Sequence, residues 1–475
     1  MESKTHNHHE QLHIIFFPYM AQGHLIPMLE MAKLFASRGL KSTLITTTSI
    51  APFFSKTLIS ETSHIDIVTF EFPCLENGFL PIETISKLGP QLDHLLQQHR
   101  PHCLVADVFF PWATDVAAKY GIPRIVFHGS CFFSISAFLS IYLYAPHKNV
   151  SSDSEPFVIT NLPGDIQITR DQMPDFQKND DHEDNEKPFT KFYRVGMEAE
   201  MNSYGVLVNS FYELEKDYAD YYRKGLGMKA WSIGPLLLYN KLDEEKANRG
   251  VMETSIDAHK CLKWLSSKKP NSVVYICFGS LTDFTDSLLV EIASSLEACG
   301  HDFIWVVKKK KKEKVHGEEE EKWLPKGFEK RMEGKGLIVR GWAPQMVILE
   351  HEAVGGFVTH CGWNSILEAV CAGVPMVTWP VAGEQFYNEI LVTQILGIGV
   401  GVGVKKCVNV VGDNVKKEDI EKALRRLMVG EEAEEMRKRA KEFGKMARRA
   451  IQEGGSSYSD IDAFIQELKV HSYSR

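Results

Sequence analysis

No two cysteines in the 475-residue chain have the Cys-x-x-Cys spacing of a zinc site or dithiol redox centre. The nine cysteines are odd in number and scattered, mostly in apolar contexts such as those of Cys103, Cys277 and Cys371. That argues against a disulfide framework and reads as reduced, packed thiols in a cytoplasmic protein. Excess positive charge is also lacking. Lys and Arg number 54 against 62 Asp and Glu, a formal net of −8, so no nucleic-acid partner is expected. No apolar run reaches the ~20 residues that cross a bilayer. The most apolar stretch, 132–144, is short and serine-rich, so no membrane insertion is expected. The polar start MESKTHNHHEQ lacks the apolar segment of a signal peptide. His6, His8 and His9 within it read as a solvated tail. No Gly-x-Gly-x-x-Gly follows the first apolar run, where a dinucleotide oxidoreductase carries one. The sequence there is Ala21-Gln22-Gly23-His24. Asp-x-Asp occurs once, at Asp460-Ile461-Asp462, and no short-period repeat is present.

What is present is an ordinary globular composition, 44% hydrophobic and 24% charged, long enough for two or three domains. Apolar runs at 12–17, 44–47, 102–108, 122–128 and 204–209 read as buried strands. A helix is expected over 27–39, with helical apolar spacing and Gly39 as its stop. Such alternation implies an α/β fold with a parallel, doubly wound sheet. A first domain over 1–240 is followed by a polar linker over 241–255. A second α/β series spans 256–455, with strands at 273–278, 303–307, 337–340, 356–359 and 375–379 and a helix at 286–298. Residues 417–450 read as charged helix, and 456–475 contain a last amphipathic helix. The acidic run 180–187 and the Lys-then-Glu run 308–322 read as solvated loops. Two such halves place a ligand in the cleft between them.

The most informative stretch is 342–385, WAPQMVILEHEAVGGFVTHCGWNSILEAVCAGVPMVTWPVAGEQ. An apolar strand runs into His360-Cys361-Gly362-Trp363-Asn364-Ser365, and a helix follows that Gly373 and Pro375 close. Free backbone N–H groups and the positive helix end converge at such a turn, which suits a phosphate or diphosphate. The stretch resembles the signature box of plant family-1 UDP-sugar glycosyltransferases; both are 44 residues long, with no gap. The resemblance extends over nearly the full chain and implies the two-Rossmann-domain fold called GT-B, with the last helix returning to the N-terminal domain.

It also implies roles. Trp342 would stack on uracil and the Ala343 backbone would pair with its edge. Gln345 and Glu368 would hold the ribose hydroxyls. His360, Asn364 and Ser365 would hold the diphosphate, with Ser280 from the opposite strand end. Trp363, Glu384 and Gln385 would meet the sugar, and Gln at 385 goes with UDP-glucose rather than UDP-galactose. PYMAQGHLIP looks like the segment carrying the catalytic histidine, here His24, and Asp107 matches the aspartate that orients it. Tyr19, Phe109, Phe110, Phe132 and Phe133 are candidate walls of the acceptor pocket. FFPYMAQGHLIP, VFHGSCFF and PVAGEQFYNE look most like the branch that glycosylates flavonoids and triterpenoid saponins. The expected activity is therefore inverting transfer of glucose from UDP-glucose to a hydroxyl of such a small molecule, by a monomer without cofactor or metal. Alternatives are another UDP-sugar, a phenylpropanoid or hormone acceptor, and a non-catalytic UDP-sugar-binding protein. The last would be expected to lack His24 or Asp107.

Helix N–H groups and His360, rather than a cation, would neutralise the leaving diphosphate. Transfer is thus expected to survive exhaustive EDTA treatment. Loss of activity that magnesium or manganese restores would contradict this.

Overall fold

The computed structural model describes residues 11–58, 65–72, 82–178, 187–239, 249, 256, 258–280, 282–308, 322–408 and 415–473. Outside them lie His6, His8 and His9, the acidic run but for Lys187, all of the linker but Arg249, and most of the Lys/Glu run.

Two parallel sheets dominate. The first contains β1 (His13–Phe17), β2 (Lys41–Thr47), β3 (Ile65–Phe70), β4 (Cys103–Asp107), β5 (Arg124–Phe127), β6 (Gly205–Val208) and β7 (Ala230–Ser232). Their spatial order is β3-β2-β1-β4-β5-β6-β7. The second contains β8 (Val273–Cys277), β9 (Asp302–Val307), β10 (Gly336–Arg340), β11 (Val354–Thr359), β12 (Met376–Thr378) and β13 (Gly399–Gly401), in the order β10-β9-β8-β11-β12-β13. Every pairing in both is parallel. Central strands such as HIIFF and CLVAD are buried at every position, as expected where helices cover both faces. The edge strand β3 is partly exposed at most of its positions, which is why its apolar signal is weak. In each sheet the strand order reverses once, between β1 and β4 and between β8 and β11. Open α/β sheets hold ligands beyond the carboxyl ends of strands at such a reversal.

Helix α1 (Gln22–Ser37) begins five residues before the start expected at Pro27. Gly23 and His24 thus belong to its first turn rather than to a loop. Pro27 lies inside the helix and has no N–H to give to the Gly23 carbonyl, so that carbonyl lacks its usual helical donor four residues on. The apolar run near residue 132 is helix α2 (Phe132–Tyr144), and α3 (Pro188–Met201) opens with proline at its first position. In the second half come α4 (Asp286–Cys299) and α5 (Trp363–Ala372). The charged stretch 417–450 is two helices, α6 (Lys417–Met428) and α7 (Glu431–Ala450), separated at Gly430 with φ +93°. A φ of that sign suits glycine best.

The last helix, α8 (Ser456–Tyr473), packs on the first sheet. Phe464 is fully buried, with ring centroids 5.5 Å from Phe35 and 5.0 Å from Trp231. The Asp-x-Asp is engaged in this docking. Ser232 N–H donates to Asp460 at 2.7 Å, and Arg38 pairs with Asp462 at 2.7 Å. The eight cysteines among the described residues are free. No described helix is long and apolar enough to cross a membrane.

Truncating a buried aromatic removes both its transfer energy and its packing contacts. Phe464→Ala is expected to cost about 3–5 kcal/mol in urea unfolding. A loss under about 1 kcal/mol would mean that α8 does not depend on this contact.

Candidate active site

The carboxyl end of β4 and the start of α1 bring His24 and Asp107 together. His24 Nδ1 lies 2.7 Å from Asp107 Oδ2. The Asp107 side chain is fully buried, and its other oxygen accepts from Phe109 N–H at 3.1 Å. Arg124 Nη2 donates to the Asp107 carbonyl at 2.9 Å. Burial, the largest single influence on the His24 imidazole, opposes its charge. The Asp107 carboxylate, its hydrogen bond and Glu384 together outweigh burial and raise the pKa above 6.5. Phe109 and Tyr19 set ring edges and faces against the imidazole, with centroids at 5.4 and 5.8 Å.

A cavity of about 300 Å³ lies between the two sheets' carboxyl ends. It is lined by Ser280, Trp342, Ala343, Gln345, His360, Trp363, Asn364, Ser365, Glu368, Glu384 and Gln385, together with Tyr19, Gly23, His24 and Phe109. Two helix N-termini border it. Among the described residues neither Ala21 before α1 nor Gly362 before α5 caps its helix by a side chain, so their first N–H groups suit an anion. Cys361 turns the chain into α5 with φ +66°. His360 is wedged between glycines. A Cβ on Gly279, itself at φ +72°, would stand 2.6 Å from His360 Cε1, and one on Gly362 would collide with Nε2. Burial, helped by Lys308, lowers the His360 pKa to about 4. At neutral pH the ring is therefore an uncharged hydrogen-bonding group and not a cation.

Several expected ligands already have protein partners. Asn364 Nδ2 donates to the Gly23 carbonyl at 2.8 Å, the oxygen that Pro27 leaves free. One Nδ2 hydrogen is thereby committed, which leaves the other and the Asn364 backbone N–H for a diphosphate. Trp363 is 2% exposed and its Nε1 donates to the Asn209 carbonyl at 2.8 Å, so its indole N–H joins the two domains rather than facing a sugar. Gln385 Oε1 accepts from the N–H groups of Val381 and Ala382 at 2.8 and 3.1 Å, which leaves its amide N–H groups to offer. Gln345 Oε1 accepts from Tyr275 at 3.1 Å, and its Nε2 donates to Ser365 Oγ at 3.2 Å and to Glu368. Arg249 of the linker also reaches Glu368, and pairs with Glu30 of α1 at 2.6 Å. A diol binding at Glu368 must therefore share it with Arg249 and Gln345.

A second cavity, about 240 Å³, opens on the other side of His24. Its walls include Phe109, Phe138, Phe176, Phe192 and Tyr193, with Met197. Of the five aromatics named from the sequence, Phe109 borders both cavities and Tyr19 the first alone. Phe110, Phe132 and Phe133 border neither and are corrections. Each is fully buried: Phe110 stacks on Phe17 at 4.0 Å, Phe132 meets Tyr222 and Phe133 meets Tyr218. The start of α2 is fixed because Glu215 accepts the N–H groups of both Phe132 and Phe133. Phe138, further along α2, faces the cavity instead, while Phe192 and Tyr193 come from α3. Sequence reasoning missed these. The apolar run of α2 does not say which side faces a void, and α3 carries no motif.

The family described as UDP-glucoronosyl and UDP-glucosyl transferase matches residues 254–438. UDP-glucose flavonoid 3-O-glucosyltransferase 7 of Fragaria ananassa is 55% identical, over 97% of this chain and 96% of its own length. Scopoletin glucosyltransferase of Nicotiana tabacum is 50% identical, over 97% and 99%. Among solved structures, UGT73P12 of Glycyrrhiza uralensis, complexed with glycyrrhetinic acid 3-O-monoglucuronide, superposes with a TM-score of 0.85 at 39% identity, covering 98% of this chain and 97% of that one. Medicago truncatula UGT71G1, complexed with UDP-glucose, gives 0.79 at 29% identity, over 96% and 98%.

Proposed function

Since the chain belongs to the plant family-1 UDP-glycosyltransferases and has their GT-B fold, we propose that His24 is the base of an inverting O-glucosyl transfer, oriented by Asp107. One observation carries the reading. His24, Phe109, Gly129 and Glu384 border both cavities, so the imidazole stands where their contents meet. The larger, polar cavity takes UDP-glucose and the aromatic one takes the acceptor. Asp107 fixes the His24 proton on Nδ1, which leaves Nε2 as a lone pair. Nε2 takes the proton of the acceptor hydroxyl as its oxygen bonds to glucose C1. The bond from C1 to the diphosphate oxygen breaks, and UDP leaves with that electron pair. The N-termini of α1 and α5 and the neutral His360 donate hydrogen bonds to the growing negative charge.

Several aromatic side chains line the acceptor cavity, and the curated relatives named above act, by their names, on a flavonoid and on scopoletin. Flat phenols of flavonoid type are therefore the first acceptor class. The likeness to UGT73P12, with its triterpenoid-type ligand, supports a triterpenoid as the second.

His24→Ala is expected to lower kcat by roughly 10²–10⁴-fold and to leave UDP affinity by calorimetry nearly unchanged. An equal loss of UDP affinity would move His24 into the nucleotide site. The base works only when neutral, and Asp107 helps raise its pKa above 6.5. Activity should therefore fall as pH drops through a point above 6.5, and Asp107→Asn should move that point to lower pH. An acid limb unmoved by Asp107→Asn would contradict the assignment.

Glu384 and the free amide N–H groups of Gln385 supply an acceptor and a donor for neighbouring sugar hydroxyls. A misdirected C4 hydroxyl leaves such groups unpaired, at about 1–3 kcal/mol. UDP-glucose should thus exceed UDP-galactose in kcat/KM by about ten- to a hundredfold, with the gap narrowed in Gln385→His. A preference for UDP-galactose would overturn this.

A further inference from the structure

The aromatic cavity contains a second histidine that the reaction above does not use. His128 directly follows β5, next to Asp107 at the end of β4, and lines the cavity. Its Nε2 faces Glu200 Oε2 at 2.8 Å, close in distance though off the ideal hydrogen-bond axis, and both atoms are fully buried. Glu200 is 1% exposed, and its other oxygen accepts from Tyr222 at 2.6 Å. Burial works against its charge, yet His128, Tyr222 and Arg124 outweigh that and hold the carboxyl below the usual range.

An ionised carboxylate can only accept, so it favours the His128 tautomer with the proton on Nε2. The lone pair is then on Nδ1, which has no protein partner among the described residues. Two histidine–carboxylate pairs thus stand at the ends of adjacent strands and face one cavity. Gly129 lies between them with φ +67°; a Cβ there would be 3.4 Å from His24 Nδ1. The two histidines differ in one decisive respect. His24 borders the nucleotide cavity as well, whereas His128 borders the aromatic cavity alone.

We propose that His128, held by Glu200, is a specificity-determining residue that accepts a hydrogen bond from a second hydroxyl of the acceptor, not the one glucosylated. This selects polyhydroxylated phenols and fixes which hydroxyl reaches His24. The proposal rests on the reading of the aromatic cavity as the acceptor site.

The test compares a polyhydroxylated flavonol with analogues that each lack one of its hydroxyls, with UDP-glucose saturating. In the wild-type enzyme, loss of one particular hydroxyl other than the attacked one should lower kcat/KM by about ten- to a hundredfold, mainly through KM. In His128→Phe that penalty should shrink to within about threefold. In His128→Asn, whose amide oxygen can still accept, much of it should return. The proposal is overturned if every analogue stays within about threefold of the parent in the wild type, or if His128→Phe keeps the wild-type penalty. Each ratio is taken within one variant, so it does not depend on the fraction folded. His128→Leu carries the same test should His128→Phe give no active protein. Failure of the underlying reading looks different: no flavonol would be glucosylated, or His24→Ala would leave transfer intact.

Discussion

A backbone carbonyl at the start of α1 helps tie the two halves of the site together. Pro27 has no N–H, so the Gly23 oxygen one turn earlier in α1 is left without its usual helical donor. An oxygen in that position is open to a donor from outside its own helix. It finds Asn364 Nδ2, at the first turn of α5 in the other domain. The residue after Gly23 is His24, and the turn before Asn364 carries His360. This hydrogen bond, together with the Arg249 bridge from Glu30 of α1 to Glu368 of α5, ties the turn with the proposed base to the turn proposed to hold the diphosphate. Other cross-domain bonds support it: Trp363 to Asn209, Ser134 to Asn388 at 2.7 Å, and Tyr387 to Gln177 at 2.8 Å.

The two site histidines are driven in opposite directions by the same burial. His360 has Lys308 nearby as its charged influence, so desolvation prevails and the ring stays neutral. His24 has Asp107 within hydrogen-bond distance, so the charged form is favoured despite burial. A neutral ring suits a group that binds, and a ring able to hold a proton suits a base. The difference comes from Asp107 and Glu384 beside one ring and Lys308 beside the other, and from nothing in the local sequence of either histidine.

Arg249 shows how the polar cavity satisfies its own charges. Glu30 and Glu368 are both almost fully buried, and acidic side chains in such surroundings call for a charged or hydrogen-bonding partner. Arg249 bridges them, joining α1 of one domain to α5 of the other. Burial still raises the Glu368 pKa, with Arg249 and Gln345 opposing it. The residue proposed to hold ribose is thus part of a domain-to-domain ion cluster, a role its place in the 44-residue box does not disclose.

The sequence by itself determined the alternation of strands and helices, and so the doubly wound sheets, because burial of apolar runs is a local pattern with a local signature. It also determined the strand, glycine turn and helix start around 360–365, the turn proposed to hold the diphosphate, since these are consecutive along the chain. It placed His24 and Asp107 at strand ends, though not the helical turn that holds His24. Only the tertiary structure decided which aromatics face a void. Phe132, Phe133 and Phe138 share one helix and one apolar character, yet the first two meet Tyr222 and Tyr218 and the third faces the cavity. Only the fold, too, paired His128 with Glu200, 72 positions apart, and gave Asn364, Trp363 and Gln385 backbone partners. Those contacts arise between segments distant in the chain. Which polar atom is satisfied by protein and which is left for a ligand depends on what packs against it.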